Sequence, residues 1–340
     1  MGTFHPAAAA LTAPTTLFLS DADVAGLADW PSAIHALRQA YAGQVSPAMV
    51  PPRSMARGDG LWLRALTAVS PSGGHLGCKL IAASVAHHRA SYLISLFDQT
   101  TMGLSALIDG NRITGIRTAA TAAVAVDQAA PRGPLRVAVI GSGFEARGLL
   151  LALAAIRTLA SIKVFSPTPA SRERFAADLR SQASLDVAPT TCAQDAVQGA
   201  DVVLCAARSR DESPVLRGAW LAPGMTVVSV GSTLPEQREV DEEVLARASL
   251  IVADMVDEVA HDTGDLLAAQ RAQVDVASKL VSLADFVSGH ATRQNTADIV
   301  VYKSVGSALQ DVVTAEMLLA RAREQGVGTP LAHSIVPVSK

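Results

Sequence analysis

The sequence has little of what secreted, metal-binding and membrane proteins depend on. It holds three cysteines (Cys78, Cys192 and Cys205), and none of them belongs to a Cys-x-x-Cys pair. This argues against a disulfide framework or a zinc site and favours a reduced, cytoplasmic protein. The histidines include one adjacent pair and no His-Glu-x-x-His motif, so we expect no metal site. No uninterrupted apolar run reaches the roughly 18 residues of a membrane span, and we expect none.

Positive charge is also scarce and scattered. Lysine and arginine together number 28 against 31 acidic residues, and basic residues form no cluster. A nucleic-acid-binding protein would show a basic patch or stripe, so that class is excluded. The first residues carry neither a basic stretch nor a useful apolar core, so we expect no secretory signal among them. We expect residues 1–18 to be a flexible tail.

What the sequence does have is enough apolar material for two cores. Its 340 residues are 49% hydrophobic and 17% charged, and a typical domain takes roughly 100–200 residues. The breaker Pro-Arg-Gly-Pro at 131–134 interrupts the pattern. We therefore predict one domain over residues 19–130, completed by about 312–335, and a second domain over 131–311.

The first half predicts a helix followed by a sheet. Ser20 and Asp21 are good N-cap residues, and apolar residues recur at helical spacing from there to Gly43. Four apolar runs follow, with turn residues at 71–74 and 109–110. These runs predict the strands of an antiparallel or mixed sheet.

The second half alternates short apolar strands with helical patterns, of which the first two span 145–159 and 169–183. Such alternation predicts a parallel sheet with crossover helices, and unbroken apolar strands fit burial on both faces. The pattern over residues 304–326 predicts a long amphipathic helix that could return to the first domain. The predicted fold class is α/β: a Rossmann domain plus an α+β domain built from the N-terminal part and the C-terminal helix.

A glycine turn follows the first strand of this second half. Residues 141–146 read GSGFEA, which fits the dinucleotide pattern G-x-G-x-x-A, and they open a helix. Gly141 permits the tight turn, Gly143 leaves space for a pyrophosphate, and the N–H groups at the helix start hold the phosphates. The residues predicted to bind the cofactor here are Gly141, Ser142, Gly143, Phe144 and Glu145.

The end of the next strand bears on which dinucleotide is bound. It reads Ser166-Pro167-Thr168 and has no acidic residue, whereas NAD-selective sites normally place Asp or Glu there. Ser166 and Thr168 could accept a 2′-phosphate, and Arg172 lies within one helical turn. The pattern favours NADP(H) and leaves NAD(H) possible. Simple helix capping by these residues is the alternative.

Several motifs together resemble the ornithine cyclodeaminase/mu-crystallin family. They are VPPR at 50–53, CKL at 78–80, LIDGNRITGIRTAATAAVA at 107–125, the glycine turn, and YKSVGSALQD at 302–311. The resemblance runs from about residue 20 to residue 325. It implies a homodimer whose N-terminal sheets pair, a Rossmann domain, and a small amino or imino acid bound at the nicotinamide. Family members include cyclodeaminases, alanine dehydrogenases, ketimine reductases, synthases and crystallins, so the reaction stays open.

The resemblance also assigns roles to individual residues. Arg53, Lys79 and Arg117 match the positions that clamp the substrate carboxylate, and two guanidiniums with an ammonium suit that task chemically. We treat these three as the catalytic and substrate-binding residues, with Lys79 or water as the proton source. The positions matched to cofactor contacts further along the chain are Gly231, Ser304, Val305 and Gly306.

Other marked residues have two interpretations at this stage. Asp254 and Glu258 fit either the rim of the pocket or solvated helix charges. Ser304, Val305 and Gly306 also fit an ordinary helix start. Asp311, in the helix that follows, is interpreted as structural.

One position departs from part of the family. The resemblance implies that Thr233 is a substrate-binding residue. At this position cyclodeaminases and alanine dehydrogenases carry an Asp that holds the substrate's amino group, and ketimine reductases carry a small hydroxyl residue. A hydroxyl cannot supply the negative charge that steadies an ammonium. We therefore predict an NAD(P)H-dependent reductase of small imino acids. The alternatives are an ornithine cyclodeaminase or alanine-dehydrogenase-type deaminase, and a crystallin-like protein that binds NADPH and a small ligand with little turnover.

Overall fold

Two sheets joined by a buried helix make up the protein. A computed structural model describes residues 15–338. The strands are β1 Leu17–Leu19, β2 Ser54–Gly58, β3 Leu61–Val69, β4 His75–Ser84, β5 Arg89–Asp98, β6 Leu104–Asp109, β7 Leu135–Ile140, β8 Leu159–Phe165, β9 Val187–Pro189, β10 Val202–Cys205, β11 Thr226–Ser229, β12 Ala248–Ala253, β13 Leu280–Ser282, β14 Ile299–Lys303 and β15 Thr329–Pro330.

The helices complete the layers around both sheets. They are α1 Asp21–Leu27, α2 Trp30–Ala42, α3 Asn111–Ala129, α4 Phe144–Ala154, α5 Pro169–Ala183, α6 Ala193–Val197, α7 Glu242–Arg247, α8 Val256–Asp262, α9 Gly264–Arg271, α10 Leu283–Val287 and α11 Ala308–Gln325, with short 3₁₀ turns at Pro47–Met49, Gly218–Trp220 and Ala277–Lys279. Within the described range, no helix is both long and apolar enough to cross a bilayer.

The first sheet has the order β15-β1-β6-β5-β4-β3-β2. Strands β2 to β6 are antiparallel neighbours, while β1 runs parallel to β6. Helix α11 packs on β3, β4 and β5, as the sequence predicts for a returning C-terminal helix. The opposite face of this sheet carries exposed apolar side chains.

The second sheet is all parallel, in the order β13-β12-β14-β11-β10-β7-β8-β9. Its central strands are buried on both faces, which explains their unbroken apolar runs. The predicted fold class, a Rossmann domain joined to an α+β unit, is confirmed. The domain limits stay a prediction, because α3 packs against strands of both sheets.

Four details of the sequence-based prediction differ from the structure. Residues 1–14 of the expected tail lie outside the described residues, but Leu17–Leu19 form β1, which pairs with β6 and β15. The helix expected at 145–159 ends at Ala154. The turn expected at 109–110 is the junction between β6 and α3, where Asp109 accepts a hydrogen bond from Asn111 N–H at 2.9 Å. The C-terminal helix begins at Ala308, four residues later than predicted.

The first predicted helix is in fact two helices. Ser20 caps α1 through a capping box with Asp23, which confirms the predicted start. The chain then turns extended at Ala28, and Asp29 caps α2 by accepting Ser32 N–H at 2.9 Å. Pro31 explains the break, because proline donates no backbone hydrogen bond and restricts the residue before it.

Candidate active site

The candidate site lies at the carboxyl edge of the parallel sheet. Strands β7, β10, β11, β14 and β12 all end in register, so the residues that follow them share one edge. Strands β8 and β9 lie on one side of β7, while β10 and β11 lie on the other. Open parallel sheets bind ligands outside such a point of reversal.

Gly141 makes the tight turn after β7. Its φ is +116°, a left-handed value that favours glycine, and its N–H donates to Phe165 O at 2.8 Å. A Cβ at Gly141 would lie 2.6 Å from Ala206 O. Only glycine therefore fits this turn.

The start of α4 suits a pyrophosphate. Gly143 precedes the helix, and no side chain caps it, so the first N–H groups remain available to an anion. A Cβ at Gly143 would meet nothing within 4 Å. Unlike Gly141, Gly143 is not required by the packing of the protein, and the space beside its Cα is open. The turn therefore fits a dinucleotide.

The residues proposed for a 2′-phosphate come together beside this turn. Ser142 Oγ donates to Ser166 Oγ at 3.0 Å, and Arg172 Nη1 donates to Ser166 O at 2.9 Å. Thr168 precedes α5, but its hydroxyl makes no capping hydrogen bond. Helix capping thus does not account for the Thr168 side chain.

Lys79, Arg117 and Asp311 form a buried ionic cluster between the two sheets. Lys79 Nζ lies 2.8 Å from both carboxylate oxygens of Asp311, and Arg117 Nε lies 3.2 Å from Asp311 Oδ1. Lys79 is 1% exposed, Arg117 8% and Asp311 0%. Burial lowers the pKa of Lys79 to about 8, since the Asp311 charge only partly opposes desolvation and Arg117 adds repulsion.

Arg117 is held on its other side by the first turn of α11 and by the loop before it. Its Nη1 donates to Gln310 Oε1 at 2.7 Å. Gly306 has a φ of +81°, and a Cβ there would overlap the Arg117 guanidinium. The glycine of the SVG motif is therefore what lets Arg117 enter the cluster.

Arg53 reaches the same junction from the loop before β2. Its guanidinium forms an ion pair with Glu258 on α8, and its backbone N–H donates to Glu258 Oε1 at 3.2 Å. The Arg53 charge is close enough to contribute to the lowered pKa of Lys79. The structure thus brings the three predicted clamp residues, Arg53, Lys79 and Arg117, to one place.

Asp254 fixes the loop between β14 and α11. It accepts hydrogen bonds from Ser304 Oγ at 2.6 Å, Val305 N–H at 3.0 Å and Gly306 N–H at 2.8 Å. Asp254 and the buried Glu258 are therefore not solvated helix charges, which decides between the two interpretations. That residues 304–306 contact a cofactor stays a prediction.

The loop after β11 is held by a second buried network. Glu239 accepts Gly231 N–H and Ala207 N–H, both at 2.9 Å, and burial raises its pKa. Thr233 N–H donates to Gln237 Oε1 at 2.9 Å. The cofactor role of Gly231 and the substrate role of Thr233 stay predictions.

Sequence reasoning missed part of the site. Asp311 is interpreted as structural from the sequence, yet it contacts two of the three clamp residues. Glu145, expected to bind cofactor, also faces this region: its Oε2 is buried without a hydrogen-bond partner among residues 15–338, and burial raises its pKa against the influence of Arg117. Arg64 on β3, on the same face of the first sheet as Lys79, belongs to no motif.

Comparison with known proteins identifies the family of the chain. Residues 35–326 match the model of the ornithine cyclodeaminase/mu-crystallin family. The chain belongs to this family. It is 31% identical to the mouse ketimine reductase mu-crystallin over 235 residues, which cover 69% of this chain and 70% of that protein. It is 28% identical to a Δ¹-pyrroline-2-carboxylate reductase of Bacillus cereus over 291 residues, 85% of each protein.

A solved structure extends the similarity to the whole fold. The Δ¹-pyrroline-2-carboxylate reductase of Thermococcus litoralis, determined with NADH and L-proline, matches with a TM-score of 0.84 and 25% identity. The match covers 93% of this chain and 100% of that one. The predicted family membership is confirmed.

Proposed function

We propose that the protein is an NAD(P)H-dependent oxidoreductase that reduces the C=N bond of a small imino acid. The observation that carries this is the cluster of three cations, two of them buried, at the carboxyl edge of a dinucleotide-type sheet. The names of the relatives, ketimine reductase and pyrroline-2-carboxylate reductase, support the same reaction.

The charges around the three clamp residues favour the binding of one carboxylate. Asp311 and Glu258 contact the three cations and offset two of their positive charges. A carboxylate placed among them receives charge-assisted hydrogen bonds in a site shielded from water. Fixing that group orients the adjacent imine carbon, and orientation is where we expect most of the rate acceleration to arise.

Bound NAD(P)H would supply the hydride to the imine carbon. The residues that would hold it are those of the glycine turn, with Gly143 and the start of α4 facing the pyrophosphate. Lys79, whose pKa is about 8, carries a proton at neutral pH. Lys79 or a water molecule then delivers that proton to the imine nitrogen.

For the cofactor we propose a preference for NADP(H). The absence of an acid at 166–168 in the sequence and the Ser142–Ser166–Arg172 contacts support it. An acidic side chain at this position would bind the ribose hydroxyl of NAD(H) instead.

A substrate panel tests the proposed function. Keto acids with ammonia or methylamine, and cyclic ketimine carboxylates, are mixed with NADH or NADPH, and loss of reduced-nicotinamide absorbance is followed. We expect steady NADPH consumption with an imine. Ammonia release from ornithine without net cofactor change would instead indicate a cyclodeaminase, and tight NADPH binding without turnover a crystallin-like protein.

We also propose that the protein is a homodimer in the cytoplasm, where its free cysteines stay reduced. The face of the first sheet opposite α11 exposes Leu61 at 56%, Leu63 at 46% and Leu93 at 37%. Contiguous apolar surface of this kind is typical of an interface. Sedimentation should give a dimer for the wild type and a monomer for Leu63→Glu.

A further inference from the structure

A fourth cation lies beside the three clamp residues. In the antiparallel register, Leu66 of β3 pairs with Lys79 of β4, and Arg64 pairs with Ile81. Residues two apart on a strand share a face. Arg64 therefore points to the same side of the sheet as Lys79. It lies two residues nearer the start of β3 than Leu66, which pairs with Lys79.

The strand register also places Arg64 near Arg53, because Ser54, the residue after Arg53, pairs with Ala65, the residue after Arg64. Burial lowers the pKa of Arg64, the Arg53 charge lowers it further, and the Glu258 charge acts in the opposite direction. Arg64, Arg53 and Glu258 therefore share one electrostatic environment beside the candidate site.

The guanidinium of Arg64 lacks a partner that the fold could supply. Its Nε is buried and has no hydrogen-bond partner among residues 15–338. Its guanidinium carbon lies 5.2 Å from the ring centre of Trp62, which steadies the group without neutralising it. Glu258, the nearby acid, is already paired with Arg53. A partly buried cation without a carboxylate is costly unless a ligand completes it.

We propose that Arg64 binds a second carboxylate of the substrate, so that the enzyme reduces imino dicarboxylic acids. This rests on the proposed function, and it names the substrate class. The α-carboxylate lies among Arg53, Lys79 and Arg117, and the distal carboxylate lies on Arg64. One hydride adds to the imine carbon and one proton to its nitrogen, which gives an amino dicarboxylic acid and oxidised nicotinamide.

Matched pairs of keto acids with ammonia test the proposal. Oxaloacetate is compared with 2-oxobutyrate, and 2-oxoglutarate with 2-oxopentanoate, because each pair differs only in a terminal carboxylate against a methyl group. For at least one of these pairs, we expect the wild-type kcat/KM to be about tenfold or more higher for the dicarboxylate than for its matched monocarboxylate. Arg64→Met should lose that preference, because its kcat/KM falls more for the dicarboxylate than for the monocarboxylate, and Arg64→Lys should keep part of it.

Arg57→Met is the matched control. Arg57 lies on β2 opposite Trp62, on the same face but exposed, and its Nε contacts Met55 Sδ. This variant should keep the dicarboxylate preference. A wild type that reduces imines but prefers monocarboxylates, or an Arg64→Met variant that loses both activities equally, overturns the inference.

A binding measurement makes the test independent of turnover. Calorimetry compares glutarate with pentanoate, and succinate with butyrate, on the enzyme with NADP⁺. We expect a dicarboxylate to bind more tightly to the wild type and this advantage to vanish in Arg64→Met. If no imine is reduced but this advantage exists, the proposed function fails while the second anion site stands. Equal binding of both acids in each pair overturns the site.

Discussion

Lys79 on β4 and Asp311 on α11, separated by 232 residues in the sequence, form a buried ion pair. Asp311 also contacts Arg117 on α3. One carboxylate thus joins the sheet, the long buried helix and the returning C-terminal helix at the candidate site. We interpret Asp311 as a positioning residue that holds two clamp cations and keeps Lys79 protonated.

The first prediction concerns the pH dependence of activity. Lys79 has a pKa of about 8, so its ammonium is present at neutral pH and is lost as the pH rises through 8. In the wild type, kcat/KM should therefore fall above about pH 8. Asp311→Asn removes the attraction that raises this pKa, so the fall should move to lower pH by about one unit or more.

The same variant should also unfold more easily. Removing one partner of a buried ion pair typically costs about 3–5 kcal/mol, which thermal denaturation measures. Glu316→Gln, on the same helix but away from the cluster, is the control for the pH profile. An unshifted pH profile in a folded Asp311→Asn protein would contradict this role.

The second prediction concerns Gly306. A Cβ there would overlap the Arg117 guanidinium, so Gly306→Ala should displace Arg117 and raise the KM for the imino acid by about tenfold or more. Gly326→Ala is a matched control, because Gly326 also has a left-handed φ, +67°, but its Cβ would meet nothing within 4 Å. Both variants carry the backbone cost of about 1–2 kcal/mol. Equal KM values would contradict the account.

The third prediction separates the two glycines of the turn. Gly143→Ala should leave the melting temperature of the free protein unchanged, because its Cβ enters open space. It should weaken NADPH binding by about tenfold or more, measured by fluorescence titration. Gly141→Ala should instead destabilise the free protein, because it combines a φ of +116° with a clash against Ala206 O. Unchanged NADPH affinity in Gly143→Ala would rule out this turn as the pyrophosphate site.

The fourth prediction concerns cofactor choice. Arg172→Met should raise the KM for NADPH by about tenfold while leaving the KM for NADH nearly unchanged, because only NADPH carries the 2′-phosphate. Arg174→Met, two residues further on the same helix and exposed, should change neither value. A parallel loss with both cofactors would place the role of Arg172 elsewhere.

The elements that local pattern specifies could be predicted from the sequence. The unbroken apolar strands and the GSGFEA turn predict the Rossmann sheet, and the family motifs select Arg53, Lys79 and Arg117. The break between α1 and α2 could not be predicted from the apolar spacing, because that spacing continues across it. Pro31 is the one residue in the sequence that could have indicated the break.

The charged partners of the site could not be predicted in this way. Asp311 on α11 pairs with a lysine on β4 that lies 232 residues earlier, and Glu258 pairs with an arginine that lies 205 residues earlier. Arg64 looks like an ordinary strand residue in the sequence, because only the folded structure shows that its buried Nε has no hydrogen-bond partner among residues 15–338. Contacts of this kind arise from tertiary packing, which single-sequence periodicity does not encode.

The central claim is that Arg53, Lys79 and Arg117 together bind the substrate carboxylate next to the nicotinamide. The most direct measurement is a crystal structure of the enzyme with NADP⁺ and the amino acid that its imine reduction produces. We predict the α-carboxylate within hydrogen-bond distance of all three side chains, with the α-carbon facing C4 of the nicotinamide. A carboxylate bound elsewhere, with these three side chains keeping only their protein partners, would contradict the account.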